Sequence, residues 1–411
     1  MAIALFSAFV YRAGLLLAAG LLLGSTLVAH AQDSTLTRLI RQNRYALAAN
    51  GTQFSGAGWD KLRASVQKSQ FVLLGEAHGL AQVPQLAAAI AQVLRPAVFV
   101  AEVDPYVAQE ATRLVAQPGP ATAYLRRYPE ALCFFDLAEE YELVRTLRAQ
   151  QVRLVGIDQV FCTTSAPFYA RLAELVKAKP TKAYLQRQAK AFEAQNQRYE
   201  KLGQDDYVMT TQPQSAVDSL LLLTKPESPA AQKMAQDYAA SYAIYKTQAH
   251  QARVNLMKQN LLQALRPYQT PTGLAAPKML FKFGANHLAR GLSQSVKGEF
   301  YDVGNLVQNL ADAAGQRSLH LYIIGRQGQQ VESDNPNFPD RRVGKYTLEN
   351  AGLQAFVDQA TGPEWVVIDL RPARRAITTG KLLVNQFMQR SILGYDYLIV
   401  IPETTASRAM Q

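Results

Sequence analysis

The chain has 411 residues, of which 48% are hydrophobic and 18% are charged, and its formal net charge is +11. This composition excludes an intrinsically disordered protein, and the length suits one large domain or two of moderate size. The basic residues are spread along helical segments, without a dense basic tract or a nucleic-acid-binding motif, so we expect no nucleic-acid partner.

Residues 1–31 have the pattern of a secretory signal peptide. Arg12 supplies an early positive charge, an apolar stretch follows, and Ala29-His30-Ala31 is the small-x-small site that signal peptidase accepts. Cleavage after Ala31 predicts a mature chain that is exported, either to the periplasm or as a secreted protein; a retained membrane anchor is the alternative. No later segment reaches the roughly 18 continuous apolar residues of a membrane span, so none is expected after cleavage.

A helical segment, STLTRLIRQNRYALAANG, is expected to open the mature chain, and short apolar runs then alternate with amphipathic stretches. Apolar runs separated by helical periods are typical of βα units around a parallel sheet. Their continuous apolarity fits strands that are buried on both faces. The predicted strands, in chain order, are QFVLLGE, AVFVAEV, VRLVGID, KMLFKFG, LHLYIIG, EWVVIDL and YLIVIPE.

The strand pattern is absent from about residue 165 to residue 270, where long helical stretches such as KAYLQRQAKAFEAQNQRYEKL take over. Strands resume after this segment, which indicates a helical insertion into an interrupted α/β unit. We therefore predict a single α/β domain over residues 32–411, with a mostly parallel central sheet flanked by helices and a helical insertion at about 165–270.

Four of the predicted strands lead into ionisable side chains of the kinds used in acid–base catalysis or metal binding. Ligands of open parallel sheets bind at the carboxyl ends of the strands, so we expect these side chains to share one site. The candidate catalytic residues are Glu76, His78, Glu102 and His287, and the candidate substrate-binding residues are Asp104, Asp158, Asn286 and Arg290.

Glu76 and His78 can address one pocket together, because positions i and i+2 of an extended backbone point the same way. Two chemistries are open. A histidine oriented by a carboxylate can act as a general base on water, while the second histidine and Arg290 stabilise a developing oxyanion. Alternatively, the four candidate catalytic residues can hold a divalent metal, Mn, Fe or Zn, with an open position for water.

Other catalytic machinery is absent from the sequence, which has no GxSxG elbow, HExxH motif, P-loop or dinucleotide-binding GxGxxG. Cys133 and Cys162 lie in apolar contexts, where a disulfide and a pair of buried free thiols are both open. His250 and His320 lie inside a predicted helix and a predicted strand, so structural roles are expected for both.

The ordered motifs LLGEAHG, FVAEVD, VRLVGID and FKFGANHLARG resemble the erythromycin esterase and ChaN-like superfamily, and YDYLIVIPETTAS is similar to the closing strand of its esterase branch. The resemblance spans roughly residues 70–405. It implies an α/β core, a helical subdomain and a cleft with paired Glu and His residues. In the esterase branch a histidine activates water to open a macrolide lactone. The matching positions are Glu76 and His78, then Glu102, then His287.

The spacing of the first motif departs from the esterase branch, which usually has two residues between the glutamate and the histidine. Here only Ala77 intervenes, which is closer to the ChaN-like branch, with its haem-binding lipoproteins, and to the related Tiki metalloproteases. The resemblance therefore leaves two main functions open. One is an exported hydrolase acting on an ester, lactone or amide. The other is a non-catalytic protein that binds haem or another small ligand, and a degenerate member with only a structural role is a third alternative.

Overall fold

The computed structural model describes residues 35–119, 121–202, 207–271, 273–294, 298–331 and 343–410, and the predicted signal peptide lies outside these ranges. The strands are β1 (Arg44–Asn50), β2 (Gln53–Ser55), β3 (Phe71–Glu76), β4 (Val98–Ala101), β5 (Arg153–Gly156), β6 (Gln269–Thr270), β7 (Gly273–Leu274), β8 (Met279–Gly284), β9 (Ser318–Val331), β10 (Val343–Lys345), β11 (Trp365–Asp369) and β12 (Tyr397–Thr404).

The helices, which flank and interrupt these strands, begin with α1 over residues 35–42. They continue with α2 (Ala57–Gln67), α3 (Gln82–Leu94), α4 (Pro105–Val115), α5 (Thr122–Arg127), α6 (Ala138–Ala149), α7 (Ser165–Leu175), α8 (Lys179–Leu202), α9 (Val208–Thr211), α10 (Gln214–Thr224), α11 (Pro229–Thr247), α12 (His250–Leu265), α13 (Ala285–Leu288), α14 (Val303–Ala313), α15 (Gln354–Val357), α16 (Arg371–Thr378) and α17 (Gln386–Gly394). Short 3₁₀ turns cover Cys133–Asp136, Cys162–Thr164, Arg266–Tyr268 and Ala351–Leu353.

The main sheet has the strand order β2-β1-β11-β12-β9-β3-β8-β4-β5, with β10 paired to β9 outside this order. From β12 to β5 every neighbouring pair is parallel. At the other edge β11, β1 and β2 run antiparallel. The predicted α/β fold with a mostly parallel central sheet flanked by helices is therefore confirmed, and β3 lies in the middle of its parallel part.

Helices cover both faces of the sheet, which explains why its central strands are apolar throughout. All six residues of β3 are buried. Val72 and Leu74 pack in the cluster formed with α2, α3, α4 and α6. Phe71 and Leu73 point to the opposite face and pack with α12 and α14. Successive side chains of a strand point to opposite faces, so a strand with helices on both sides needs an apolar residue at each position.

The predicted opening helix is wrong in its second half. The chain is helical over residues 35–42, but Arg44–Asn50 forms β1. This strand pairs antiparallel with β11, with Leu47 opposite Trp365. Only Leu47 in β1 is fully buried, so the strand leaves almost no apolar periodicity in the sequence. Pairing with the edge of the sheet, a tertiary interaction, overrides the local helical pattern here.

Helices α7 to α12 follow one another between β5 and the small β6–β7 hairpin. Most of them surround a separate cluster of apolar and tyrosine side chains, including Tyr169, Leu172 and Tyr238. The boundaries of the predicted domain and its insertion stay predictions. In the described ranges, no helix combines the length and the apolar character that a membrane crossing requires.

Candidate functional site

Three adjacent parallel strands, β3, β8 and β4, bring polar side chains together at their carboxyl ends. β3 ends at Glu76, with His78 two residues later. Glu102 directly follows β4, and His287 lies on α13, which begins where β8 ends. The four residues that the sequence predicted as catalytic therefore lie in one connected cluster, since Glu102 is within 3.5 Å of one histidine and 3.3 Å of the other.

His78 and Glu76 form a hydrogen-bonded pair. His78 Nδ1 lies 2.9 Å from Glu76 Oε1. Burial alone would raise the pKa of Glu76, but the charge of Lys282 and the hydrogen bond with His78 lower it below its ordinary value. An ionised carboxylate can only accept a hydrogen bond, so Nδ1 carries the proton and donates it. The lone pair of the neutral ring is then on Nε2.

The side chain of His78 is 30% exposed, whereas those of Glu76, Glu102 and His287 are at most 7% exposed. Its ring stacks on Phe134, with centroids 4.5 Å apart. Burial would lower the pKa of His78, but the hydrogen bond with Glu76 and the charge of Glu102 raise it. Among the described residues, none makes a hydrogen bond with Nε2, which lies 3.5 Å from Glu102 Oε2.

A small cavity of about 10 Å³ lies beside this pair and is lined by His78, Glu76, Glu102 and Phe134, among others. This volume is about what one water molecule needs. The cavity therefore suits a water held against the cluster rather than an organic ligand.

His287 is held between two carboxylates. Its Nδ1 lies 2.8 Å from Asp302 Oδ2, and its Nε2 lies 3.3 Å from Glu102 Oε1. Burial would lower its pKa, but Asp302 and Glu102 raise it to about 10. Both ring nitrogens are therefore donors at neutral pH, and the ring is an imidazolium. This histidine cannot act as a general base in that state.

Two further cations complete the cluster, and the sequence reasoning missed both. Lys282, from β8, lies 2.7 Å from Glu76 Oε1 and 2.6 Å from Glu140 Oε1. Arg253, from α12, lies 2.6 Å from Asp158 Oδ2 and 3.0 Å from Glu102 Oε1. The sequence could have indicated Lys282, because a lysine inside the apolar run KMLFKFG must be buried and paired. It could not have indicated Arg253, which is one of many charged residues on a polar helix.

The carboxylates of the cluster are thus already neutralised by side-chain cations that occupy the space between them. In the described ranges, no group of three or more His, Cys, Asp or Glu side chains is arranged to hold a metal ion. A ligand set for Mn, Fe or Zn needs free oxygen or nitrogen donors that converge on one point, whereas here they converge on Lys282 and Arg253. The residues do not fit the metal that the sequence left open.

Gly284 lets β8 approach His78 closely. Its N–H donates to Glu102 Oε2 at 2.6 Å. A Cβ atom at this position would lie 2.8 Å from His78 Nε2 and 3.4 Å from Glu102 Oε2. Its backbone, with φ −52° and ψ 140°, is open to any residue, so the glycine is required by space alone.

The candidate substrate-binding residues Asp104 and Asp158 are 0% and 1% exposed, and the substrate contact expected of them stays a prediction. Asp104 caps α4 by accepting from the N–H groups of Tyr106 and Val107. Burial raises its pKa to about 6. Asp158 instead holds Arg253 through two hydrogen bonds. Asp158 therefore supports the site through Arg253, whereas Asp104 fixes the start of α4.

Asn286 lies next to His287 and points to Glu349, with Nδ2 3.3 Å from Oε1. Arg290, however, lies at the opposite edge of the sheet, where it pairs with Asp396 just before β12. The structure therefore does not bring Arg290 to the cluster, and its role in stabilising an oxyanion stays a prediction. Six residues after Gly284, the chain has already turned back along the side of the sheet.

The two other histidines of the described residues, His250 and His320, differ in position. The ring of His250 stacks near His287, with centroids 6.0 Å apart, so it borders the cluster. His320 is fully buried in β9, and burial together with the charge of Arg290 lowers its pKa to about 3. Cys133 and Cys162 are both free and buried.

Comparison with solved structures identifies the same fold in proteins of very different sequence. A Bacillus cereus protein is 16% identical over 92% of this chain and 99% of its own, with a TM-score of 0.57. A mutant of erythromycin esterase EreC in its open conformation is 13% identical over 89% of this chain and 98% of its own, with a TM-score of 0.56. ChaN of Campylobacter jejuni, in a structure with cofacially bound haem, covers 74% of this chain and 98% of its own at 9% identity and a TM-score of 0.30.

The likeness to erythromycin esterase EreC confirms the fold that the motifs predicted, and at this identity it shows the fold alone. The likeness to ChaN is too weak to show a shared fold. No protein-family model and no curated protein matches the sequence.

Proposed function

We propose that this protein is an exported hydrolase that activates water with His78 and cleaves an ester, lactone or amide. The observation that carries the proposal is the state of His78. Its Nδ1 is bonded to a buried carboxylate, its Nε2 has no hydrogen-bond partner among the described residues, and it is the most exposed member of its cluster.

His78 acts as the general base. Its Nε2 takes a proton from water as the water oxygen attacks the carbonyl carbon of the substrate, and the same proton then passes to the leaving oxygen or nitrogen. Glu76 fixes the tautomer and stabilises the imidazolium that forms, because the charged ring keeps its hydrogen bond from Nδ1. Lys282 holds Glu76 in its ionised form.

His287 supplies fixed positive charge instead of base catalysis. Its imidazolium and the guanidinium of Arg253 both contact Oε1 of Glu102. Glu102 is thereby held ionised, although burial alone would raise its pKa, and its other oxygen stays beside His78 Nε2. Glu102 can accept the second hydrogen of the attacking water. We therefore assign to His78 the general-base role that the sequence left open to either histidine.

The substrate class rests on the fold shared with erythromycin esterase, whose name states that it acts on an ester. An ester, a lactone and an amide all present the carbonyl that a general-base mechanism attacks. The metal-dependent form of the reaction is not proposed, because the cations of the cluster occupy the positions between its carboxylates.

Export is part of the proposal and rests on the apolar segment that ends at Ala29-His30-Ala31. Mass spectrometry of the protein recovered from the periplasm and from the medium tests it. We expect a chain that begins at Gln32. A full-length chain that stays with the membrane fraction would support the retained anchor instead.

A panel of aryl esters, lactones and amides tests the activity, with His78→Ala as the first variant. A general base contributes roughly 100- to 10,000-fold, so kcat should fall by that factor. Gln327→Ala is the matched control, because this exposed side chain at the same edge of the sheet donates to Glu403, away from the cluster. The raised pKa of His78 predicts that activity increases with pH and reaches half its plateau above pH 6.5.

A haem titration separates hydrolysis from the ligand-binding alternative. A Soret band that develops with haem and is lost in His78→Ala, in a protein that hydrolyses no member of the panel, would replace the hydrolase with a binding protein. Hydrolysis that survives in His78→Ala would refute the general-base assignment directly.

A further inference from the structure

A second cavity lies at the amino ends of the strands, on the edge of the sheet opposite His78. Its volume is about 480 Å³, and we call it the amino-edge cavity. Ser69, two residues before the start of β3, and Ser318, the first residue of β9, form part of its wall. It is lined by five cationic side chains, those of Lys61, Lys68, Arg290, Arg317 and Arg371.

The carboxylates of the cavity do not balance these cations. Asp312 and Asp396 are the two that line it, which leaves an excess of three positive charges. Asp396 is shared, because Arg290 and Arg374 both pair with it. With Arg374 and Asp369, which lie just behind the wall, three carboxylates face six cations.

Three of the lining cations, Lys61, Lys68 and Arg317, are exposed and form no salt bridge within the described part of the chain. Arg371 is paired through one edge of its guanidinium to Asp369. Arg290 Nε is buried and has no hydrogen-bond partner there. Unsatisfied buried donors are uncommon, so this one indicates that the region is built around more positive charge than its own acceptors satisfy.

The environment of Arg374, just behind the amino-edge cavity, is consistent with this excess of positive charge. Burial and the charge of Arg290 lower the pKa of Arg374, even though Arg374 pairs with Asp396. Burial is the larger cause, and the repulsion between Arg290 and Arg374 adds to it. An anion in the cavity would relieve this repulsion.

We propose that the amino-edge cavity binds a small, multiply charged anion of the phosphate class. Guanidinium and ammonium groups together are the usual partners of phosphate oxygens, and both kinds of group line this wall. The volume is that of a site for a compact molecule, within the roughly 300–1,000 Å³ of ordinary ligand pockets.

This site is independent of the hydrolytic one. The two are separated by the six residues of β3, which span about 20 Å at roughly 3.3 Å per residue. Substitutions in the amino-edge cavity should therefore leave the hydrogen bonds of His78 unchanged. Ester hydrolysis should be the same in these variants as in the parent protein.

Isothermal titration calorimetry with inorganic pyrophosphate at low ionic strength tests the proposal. We expect one saturable site, at least tenfold weaker binding in Lys68→Gln/Arg317→Gln, and loss of affinity as salt is added. The matched control is Arg187→Gln/Lys190→Gln, which removes the same charge from the exposed face of α8. Its affinity should equal that of the parent.

Two further probes define the class of ligand. Citrate carries a similar charge on carboxylates, and equal affinity for citrate would overturn the assignment to phosphate. Vesicles of phosphatidylcholine containing phosphatidic acid present the same phosphate chemistry on a membrane. Binding to these vesicles without binding to pyrophosphate would overturn the small-molecule assignment. Absence of saturable pyrophosphate binding, or an equal loss in the control variant, would overturn the site itself.

Discussion

Replacing Lys282 by Met tests whether the buried cation holds the catalytic pair in place. The Lys282 side chain is 5% exposed and bridges Glu76 and Glu140, whose side chains are 3% and 5% exposed. Methionine keeps an unbranched stem of similar length, so it fills the same space without the charge. The substitution therefore removes two ion pairs and leaves the packing almost unchanged.

The loss of stability follows from the two carboxylates that stay behind. Removing one partner of a buried ion pair costs about 3–5 kcal/mol, because the other charge is left buried and uncompensated. Here one cation serves two carboxylates, which places the expected loss at the upper end of about 3–5 kcal/mol at neutral pH. Burial already raises the pKa of Glu140 to about 7 with Lys282 present. Without the lysine this group takes up a proton at neutral pH, which limits the loss.

Guanidinium denaturation followed by circular dichroism measures the change, at neutral and at mildly acidic pH. In the variant both carboxyl groups have raised pKa values in the folded state, so its deficit should shrink as the pH falls and they become neutral. Lys282→Met/Glu140→Leu should be more stable than Lys282→Met alone, since it removes one of the unpaired groups. A double variant that is less stable than the single one, or a loss of less than about 1 kcal/mol for Lys282→Met, would refute the reasoning.

Three further predictions concern the pH dependence of stability, the space beside Gly284 and the reactivity of the cysteine thiols. His287 has a folded pKa of about 10 against 6.5 for the free side chain, so its stabilisation is complete below pH 6.5 and is lost as the pH rises towards 10. Urea titrations should show that the free energy of unfolding declines by an amount on the order of 4 kcal/mol over that range, and in His287→Gln this pH dependence should be much weaker. Gly284→Ala should fold but lose hydrolysis, since its Cβ would lie 2.8 Å from His78 Nε2, whereas Gly291→Ala, with nothing within 4 Å of the added atom, should keep full activity. Burial raises the pKa of both buried cysteine thiols, so they should react with a disulfide reagent only after unfolding; rapid reaction of the native protein would contradict this.

The apolar runs predicted the sheet well because its core strands are buried on both faces. All seven predicted strands exist, from β3 in the centre to β12. The direction of EWVVIDL did not follow from its apolarity, since β11 runs antiparallel to β12. β1 was missed because only Leu47 is fully buried in it. Strand direction and edge pairing depend on contacts between distant segments, which a single sequence does not display.

The candidate site was predictable where its residues directly follow strands. Glu76, Glu102 and His287 are positioned by the ends of β3, β4 and β8, so a short motif indicates them. Arg253 and Asp302 reach the same cluster from helix α12 and from the start of α14. Nothing in the sequence around Arg253 or Asp302 indicates this contact. Arg290 lies away from the cluster for a similar reason, because three residues beyond a strand-end histidine the chain can face the other edge.

The charges of the cluster make His78 a stronger proton acceptor than a free histidine. Glu76 and Glu102 both act on the ring and raise its pKa, so the negative charge around His78 stabilises the protonated form. A general base gains from this environment, because a stronger base accepts a proton from water more readily once the ring is neutral. Replacing Glu76 by Gln removes one of these negative charges, so it should lower the midpoint of the pH–activity profile.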